Sequence, residues 1–115
     1  RLLAGESERM SLSTHVLDAV SGRPATGIVV TLTDAAGTTL TTASTDDDGR
    51  VAQLGGDLPA GLYRLHFDTG SYFAATGTPG FYPEIVIAFE ITDPAGKYHV
   101  PVLLSPYAYS TYRGS

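Results

Sequence analysis

The chain reads as an all-β protein, an antiparallel sandwich of about eight strands with one short helix. Two observations carry that reading. Clusters of Gly, Pro, Asp and Ser interrupt the chain roughly every eight to twelve residues, a spacing typical of short strands joined by turns. Between the clusters, β-branched and aromatic runs alternate with a period of two, the signature of a strand with one face buried.

Taken in order, "LSTHVLD" sets Leu12, Thr14 and Val16 against Ser13, His15 and Leu17. The cluster Ser21-Gly22-Arg23-Pro24 ends that strand. In "GIVVTLTD", Ile28, Val30 and Leu32 share one face, and Asp34-Ala35-Ala36-Gly37 turns the chain. Asp46-Asp47-Asp48-Gly49 reads as a hairpin turn with solvated carboxylates, because Asp and Gly suit turn geometry. It lacks the glutamate that closes an EF-hand loop. After Gly55-Gly56-Asp57-Leu58-Pro59, "LYRLHF" turns Tyr63, Leu65 and Phe67 one way and Leu62, Arg64 and His66 the other. Asp68–Gly77, with Tyr72, Phe73, Ala74 and Ala75, is expected to form one or two helical turns. Beyond Thr78-Pro79-Gly80, "EIVIAFEI" sets Ile85, Ile87, Phe89 and Ile91 opposite Val86, Ala88 and Glu90. Asp93-Pro94-Ala95-Gly96 introduces "KYHVPVLLS", where His99, Pro101 and Leu103 oppose Val100, Val102 and Leu104, before the break at Ser105-Pro106.

Composition narrows the function. A single domain of 115 residues buries roughly 65% of the surface its unfolded chain exposes, so it needs no staple to fold. The absence of cysteine excludes disulfides, zinc–thiolate sites and cysteine nucleophiles. A net charge of −5 with only seven Lys and Arg argues against a nucleic-acid partner, which needs clustered cations. No apolar run approaches the roughly 20 residues that span a bilayer, and without Asn there is no N-glycosylation site. "RLLAGESER" lacks the apolar stretch of a signal peptide, and cytoplasm is the default compartment.

Three histidines are candidates for chemistry: His15, His66 and His99. His66 sits beside Arg64 opposite a buried face and reads as a partly exposed strand residue without a role. His15 and His99 each share a strand face with an apolar residue, and Arg50 opens the strand after the acidic turn. No G-x-S-x-G elbow supports a serine nucleophile. A three-histidine metal site would need His66 to converge with the other two, and no metal site is expected.

Two stretches, "STHVLDAVSGRPATGIVV" and the closing "YHVPVLLSPYAYSTYRGS", resemble the transthyretin family, and specifically its enzymatic branch, the 5-hydroxyisourate hydrolases. Hormone-carrying transthyretins resemble the chain through "LLSPY" but have threonine where His99 and Tyr112 stand, lysine at His15 and an acidic residue near Arg50. Ala108 departs from the family's usual glycine or serine. The resemblance covers residues 10–115 and implies a prealbumin-like sandwich of two four-stranded antiparallel sheets. It further implies a homotetramer with active sites at the dimer–dimer interface. The implied reaction is hydrolysis of 5-hydroxyisourate at its cyclic amide, giving 2-oxo-4-hydroxy-4-carboxy-5-ureidoimidazoline in urate degradation, without metal or organic cofactor. The alternative is a carrier of a small hydrophobic ligand.

On that resemblance His15 and His99 would activate water and transfer protons, as imidazole suits. Arg50 would orient substrate and stabilise the oxyanion with its planar fork. Ser115, through its hydroxyl or carboxylate, would position water or a histidine, and Tyr112 would contact the heterocycle. Arg1–Arg9 reads as a short helix end closed by Gly5: either an upstream linker or the tail of a fused ureidoimidazoline decarboxylase domain.

Overall fold

In the computed structural model, which describes residues 10–115, nine strands and one helix follow one another. They are β1 (Ser11–Asp18), β2 (Arg23–Pro24), β3 (Val29–Asp34), β4 (Thr39–Ser44), β5 (Arg50–Val51), β6 (Gly61–Phe67), α1 (Thr69–Ala75), β7 (Ile85–Ile91), β8 (Lys97–Ser105) and β9 (Ala108–Thr111). Arg1–Arg9, read above as a linker or the tail of another domain, lies outside the described residues. One sheet runs β2-β1-β8-β9, with β5 also pairing β1; the other runs β4-β3-β6-β7. Among the described residues no helix is long and apolar enough to cross a membrane.

The alternation read from the sequence decides which face is buried. Leu12, Val16, Val100, Val102 and Leu104 of the first sheet meet Val30, Leu32, Leu65, Phe67, Ile85 and Ile91 of the second. Full burial of each such side chain contributes roughly 1.5–3 kcal/mol. Ile87 and Phe89 continue that row on β7 but stay half-buried, because the sandwich is open beside them. Polar groups inside are satisfied: Thr14 donates to the Val100 carbonyl at 2.6 Å. Thr45 donates to the Ala25 carbonyl at 2.7 Å and accepts from the Ile28 amide at 2.9 Å.

Helix α1 starts where Asp68 caps it, its Oδ1 accepting from the Ser71 amide at 3.1 Å and its Oδ2 from the Ser71 hydroxyl at 2.7 Å. Those bonds hold the Asp68 carboxyl below its usual range. Phe73 is buried under the helix, and the Tyr72 hydroxyl donates to Asp18 Oδ2 at 2.8 Å, tying α1 to the end of β1. Burial first, and the Asp18 contact second, push Tyr72 up to about 12.

The sandwich and the helix stand as expected, with two differences. Two of the nine strands, β2 and β5, are only two residues long. The ladder between β1 and β8 is parallel, while the other ladders are antiparallel. Period-two alternation fixes which face a strand buries but not the direction of its neighbour, and these two strands meet across a separation of 86 residues, with no hairpin to dictate it.

The acidic turn delivers β5 to β1. Asp46 Oδ1 accepts from the Asp48 and Arg50 amides, both at 2.9 Å, and Gly49 adopts φ 73°. The Gly49 carbonyl accepts from the Val16 amide at 2.7 Å, and a Cβ at this position would press on the Val16 carbonyl oxygen. Gly49→Ala should therefore destabilise the fold by about 2 kcal/mol or more, from left-handed strain plus the clash. Urea denaturation checks this, and unchanged stability would contradict it.

Candidate active site

Because β1 and β8 run parallel in register, residues facing away from the core line up in rows. Ser11 pairs with Lys97, Ser13 with His99, His15 with Pro101 and Leu17 with Leu103. On the other edge of β1, β5 sets Arg50 opposite His15. On the far edge of β8, β9 pairs Thr111 with Val102, so the following Tyr112 comes beside this outer face. The result is a hollow of about 260 Å³ whose walls include His15, Arg50, His99, Tyr112, Gly114 and Ser115. All five residues singled out from the sequence thus line one cavity.

His99 is the best-anchored of them. Its Nδ1 lies 2.8 Å from the Ser13 hydroxyl, leaving Nε2 as the nitrogen for a ligand. Burial first, then the Arg50 charge, hold His99 below the usual imidazole range; hydrogen bonding to the Ser13 backbone opposes this and the nearby His15 adds to it. The shift favours the neutral imidazole, the form that can accept a proton. Ser13 was not singled out in the sequence as a site residue, because only the parallel register brings it to His99.

The closing residues pack as a lid edge against this histidine. The Gly114 amide donates to the His99 carbonyl at 2.9 Å, forming an isolated bridge. A Cβ on Gly114 would come within 2.5 Å of His99 Cδ2, so only glycine lets the chain lie against the ring. Arg113 stacks its guanidinium 4.8 Å over the Tyr98 ring and donates to the Lys97 carbonyl at 3.4 Å. Tyr98 is itself clamped, its hydroxyl accepting from the Thr92 and Asp93 amides at 3.1 and 2.9 Å. The Thr111 hydroxyl donates to the Pro101 carbonyl at 2.8 Å.

A roomier cleft of about 330 Å³ opens between β7 and β8–β9, lined by Ile87, Phe89, Tyr98 and Val100 among others. It touches His99 and Tyr112 but not His15 or Arg50, so the combination of imidazoles and cation belongs to the smaller hollow. His66 lies on β6 in the other sheet, with Nε2 2.8 Å from Glu84 Oε1, away from His15 and His99. Among the described residues no group of three or more His, Cys, Asp or Glu converges to hold a metal.

A two-sheet sandwich of this topology, with two imidazoles and a guanidinium lining one hollow on the outer face of one sheet, is a transthyretin-like protein. The match to known proteins is correspondingly close: residues 12–114 fit the HIUase/Transthyretin family model, and the chain belongs to that family. It is 47% identical over 109 residues to a 5-hydroxyisourate hydrolase of Salmonella typhimurium, covering 90% of this chain and 80% of that one. The solved 5-hydroxyisourate hydrolase of Klebsiella pneumoniae superposes with a TM-score of 0.85 at 40% identity, covering 92% of this chain and 94% of that one. The transthyretin of Sparus aurata superposes almost as well, with a TM-score of 0.84 at 32% identity over 90% of this chain and 96% of that one. The fold is common to both, so it does not by itself tell one from the other.

Since the Arg50 charge depresses His99, Arg50→Met should raise the pH at which His99 titrates, as followed by NMR of its ring protons. Titration at an unchanged or lower pH would contradict the proximity described here.

Proposed function

We propose that the chain hydrolyses 5-hydroxyisourate to 2-oxo-4-hydroxy-4-carboxy-5-ureidoimidazoline. The observation that carries this reading is the convergence of His99, His15 and the cationic Arg50 on one small hollow closed by Tyr112 and Ser115. The identity of 47% to a relative named for this activity supports it. A volume of about 260 Å³ suits a compact heterocycle; pockets that enclose drug-sized ligands run from about 300 to 1,000 Å³.

Hydrolysis of a cyclic amide needs a base for water, positive charge at the developing oxyanion, and a proton for the departing nitrogen. His99 serves as the base: Ser13 occupies its Nδ1 and orients the ring, and Nε2 takes the proton as water attacks the carbonyl carbon. Arg50 binds the carbonyl oxygen and stabilises the charge that builds there. The C–N bond of the ring then breaks, and His15, opposite Arg50 on the ladder, donates a proton to the nitrogen; the proton that His99 took from water then replaces it through solvent, returning both imidazoles to their starting state. Ser115 positions the attacking water, and Tyr112 packs on the heterocycle.

We further propose a homotetramer whose sites lie at the dimer–dimer interface. The outer face leaves Leu103 40% and Tyr112 60% exposed beside the hollow, and a second copy across this face would exclude water from the reaction.

The test generates 5-hydroxyisourate from urate with urate oxidase and follows its ultraviolet absorbance. The protein should accelerate decay, and His15→Ala and His99→Ala should each lower turnover by about 100-fold. Decay at the spontaneous rate with the intact protein would overturn the reading. Sedimentation of the same preparation should report a tetramer, and a monomer would refute the assembly.

The packing of Gly114 on His99 yields a subtler outcome. Gly114→Ala should lower turnover about tenfold or more by displacing the imidazole or the closing residues, while stability stays within about 0.5 kcal/mol because this segment lies at the surface. Paired turnover and denaturation measurements check it; full turnover would show that the contact does not position His99.

A further inference from the structure

A second hollow, of about 240 Å³, adjoins the first and shares Arg50, His99 and Ser115 with it. Its remaining walls are Ser11, Ser13, Lys97 and Tyr98, and no Asp or Glu side chain lines it. The ladder register explains its character. Moving along the outer face from Leu17–Leu103 through His15–Pro101 and Ser13–His99 to Ser11–Lys97, the rows pass from apolar to hydroxyl-bearing and cationic. Among the described residues neither Lys97 nor Arg50 is ion-paired, so both charges are available to a ligand.

We propose that this hollow is an anion subsite that receives the carboxylate liberated on ring opening, with Lys97 as its principal cation and Ser11 and Ser13 as hydroxyl donors. The inference rests on the hydrolase reading above. Water adds across the C–N bond, one proton goes to the nitrogen, and the new carboxylic acid loses its proton to solvent at neutral pH. The reaction therefore creates a negative charge that the cyclic amide did not have. That charge forms beside His99, at the wall the two hollows share. An ammonium one row beyond the reacting histidine, on the side away from the apolar row, draws the opened chain out of the catalytic hollow and separates the carboxylate from the ureido nitrogen that could reclose on it.

The test measures calorimetric binding of two stable imidazolidine-dione probes, hydantoin-5-acetate and its neutral counterpart hydantoin-5-acetamide. The wild-type protein should bind the acetate about fivefold more tightly, a preference that weakens with added salt. Lys97→Met should abolish the preference, and Lys97→Arg should keep it; Lys97 is exposed, so both variants fold. Equal binding of the two probes by the wild type, a preference unchanged in Lys97→Met, or no binding of either probe would overturn the subsite. The wild-type turnover assay reports separately on the hydrolase reading: turnover with charge-blind binding defeats the subsite alone, and absence of turnover defeats the reading on which it rests.

Discussion

Eight consecutive residue pairs hold β1 against β8 in parallel, and both faces of this ladder have a task. Inward, Leu12, Val16, Val100, Val102 and Leu104 are buried against the second sheet. Outward, the same register sets Ser13 beside His99 and His15 one row away. A slip of one residue would send the histidines into the core and the aliphatic residues to solvent. The hydrophobic effect that fixes the register therefore also aligns the polar constellation, without any interaction dedicated to that purpose. Thr14 reinforces the alignment from within, donating across the ladder to Val100.

Around this ladder, short pieces of chain supply what two strands alone cannot. The Asp46–Gly49 turn brings Arg50 to His15, and the closing residues lie over His99. The Tyr98 clamp and the Arg113 stack lie on the neighbouring positions of β8 and beyond, so the segment that covers the histidine is pinned on both sides of the bridge. Partial burial and the nearby guanidinium act in the same direction on His99, favouring the neutral ring. The neutral ring avoids the repulsion that a protonated one would meet beside Arg50, and it is a proton acceptor. Two groups that would repel one another as cations, held at the wall of one hollow, fit chemistry better than stability.

Much of this was legible beforehand. The faces of "GIVVTLTD" and "LYRLHF" follow the buried and exposed pattern of β3 and β6, the helix falls within Asp68–Gly77, and the acidic cluster is a turn. His66 is the partly exposed strand residue it was read to be. The apolar face of β7 is only half-covered, since alternation reports polarity and not the presence of a neighbour at an open edge. The direction of the β1–β8 pairing was not legible, and Ser13 and Lys97 were missed with it, because their relation to His99 exists only across that ladder. The roles of His15, Arg50, His99, Tyr112 and Ser115 came from family resemblance; alternation alone placed the histidines on a face but not on a common one.

Transthyretins and hydrolases share this sandwich, so the fold alone does not carry the activity, and the proposed hydrolysis depends on a few side chains acting together. The contact that most directly expresses joint action is Ser13 Oγ to His99 Nδ1 at 2.8 Å. A double-mutant cycle of kcat/KM for 5-hydroxyisourate, with Ser13→Ala, His99→Ala and the pair, tests it. If Ser13 works only by orienting His99, removing it in the His99→Ala background should have no further effect, so that the double variant matches His99→Ala. Losses that multiply would contradict the account, since the two residues would then act independently and the ladder would not be what assembles the site.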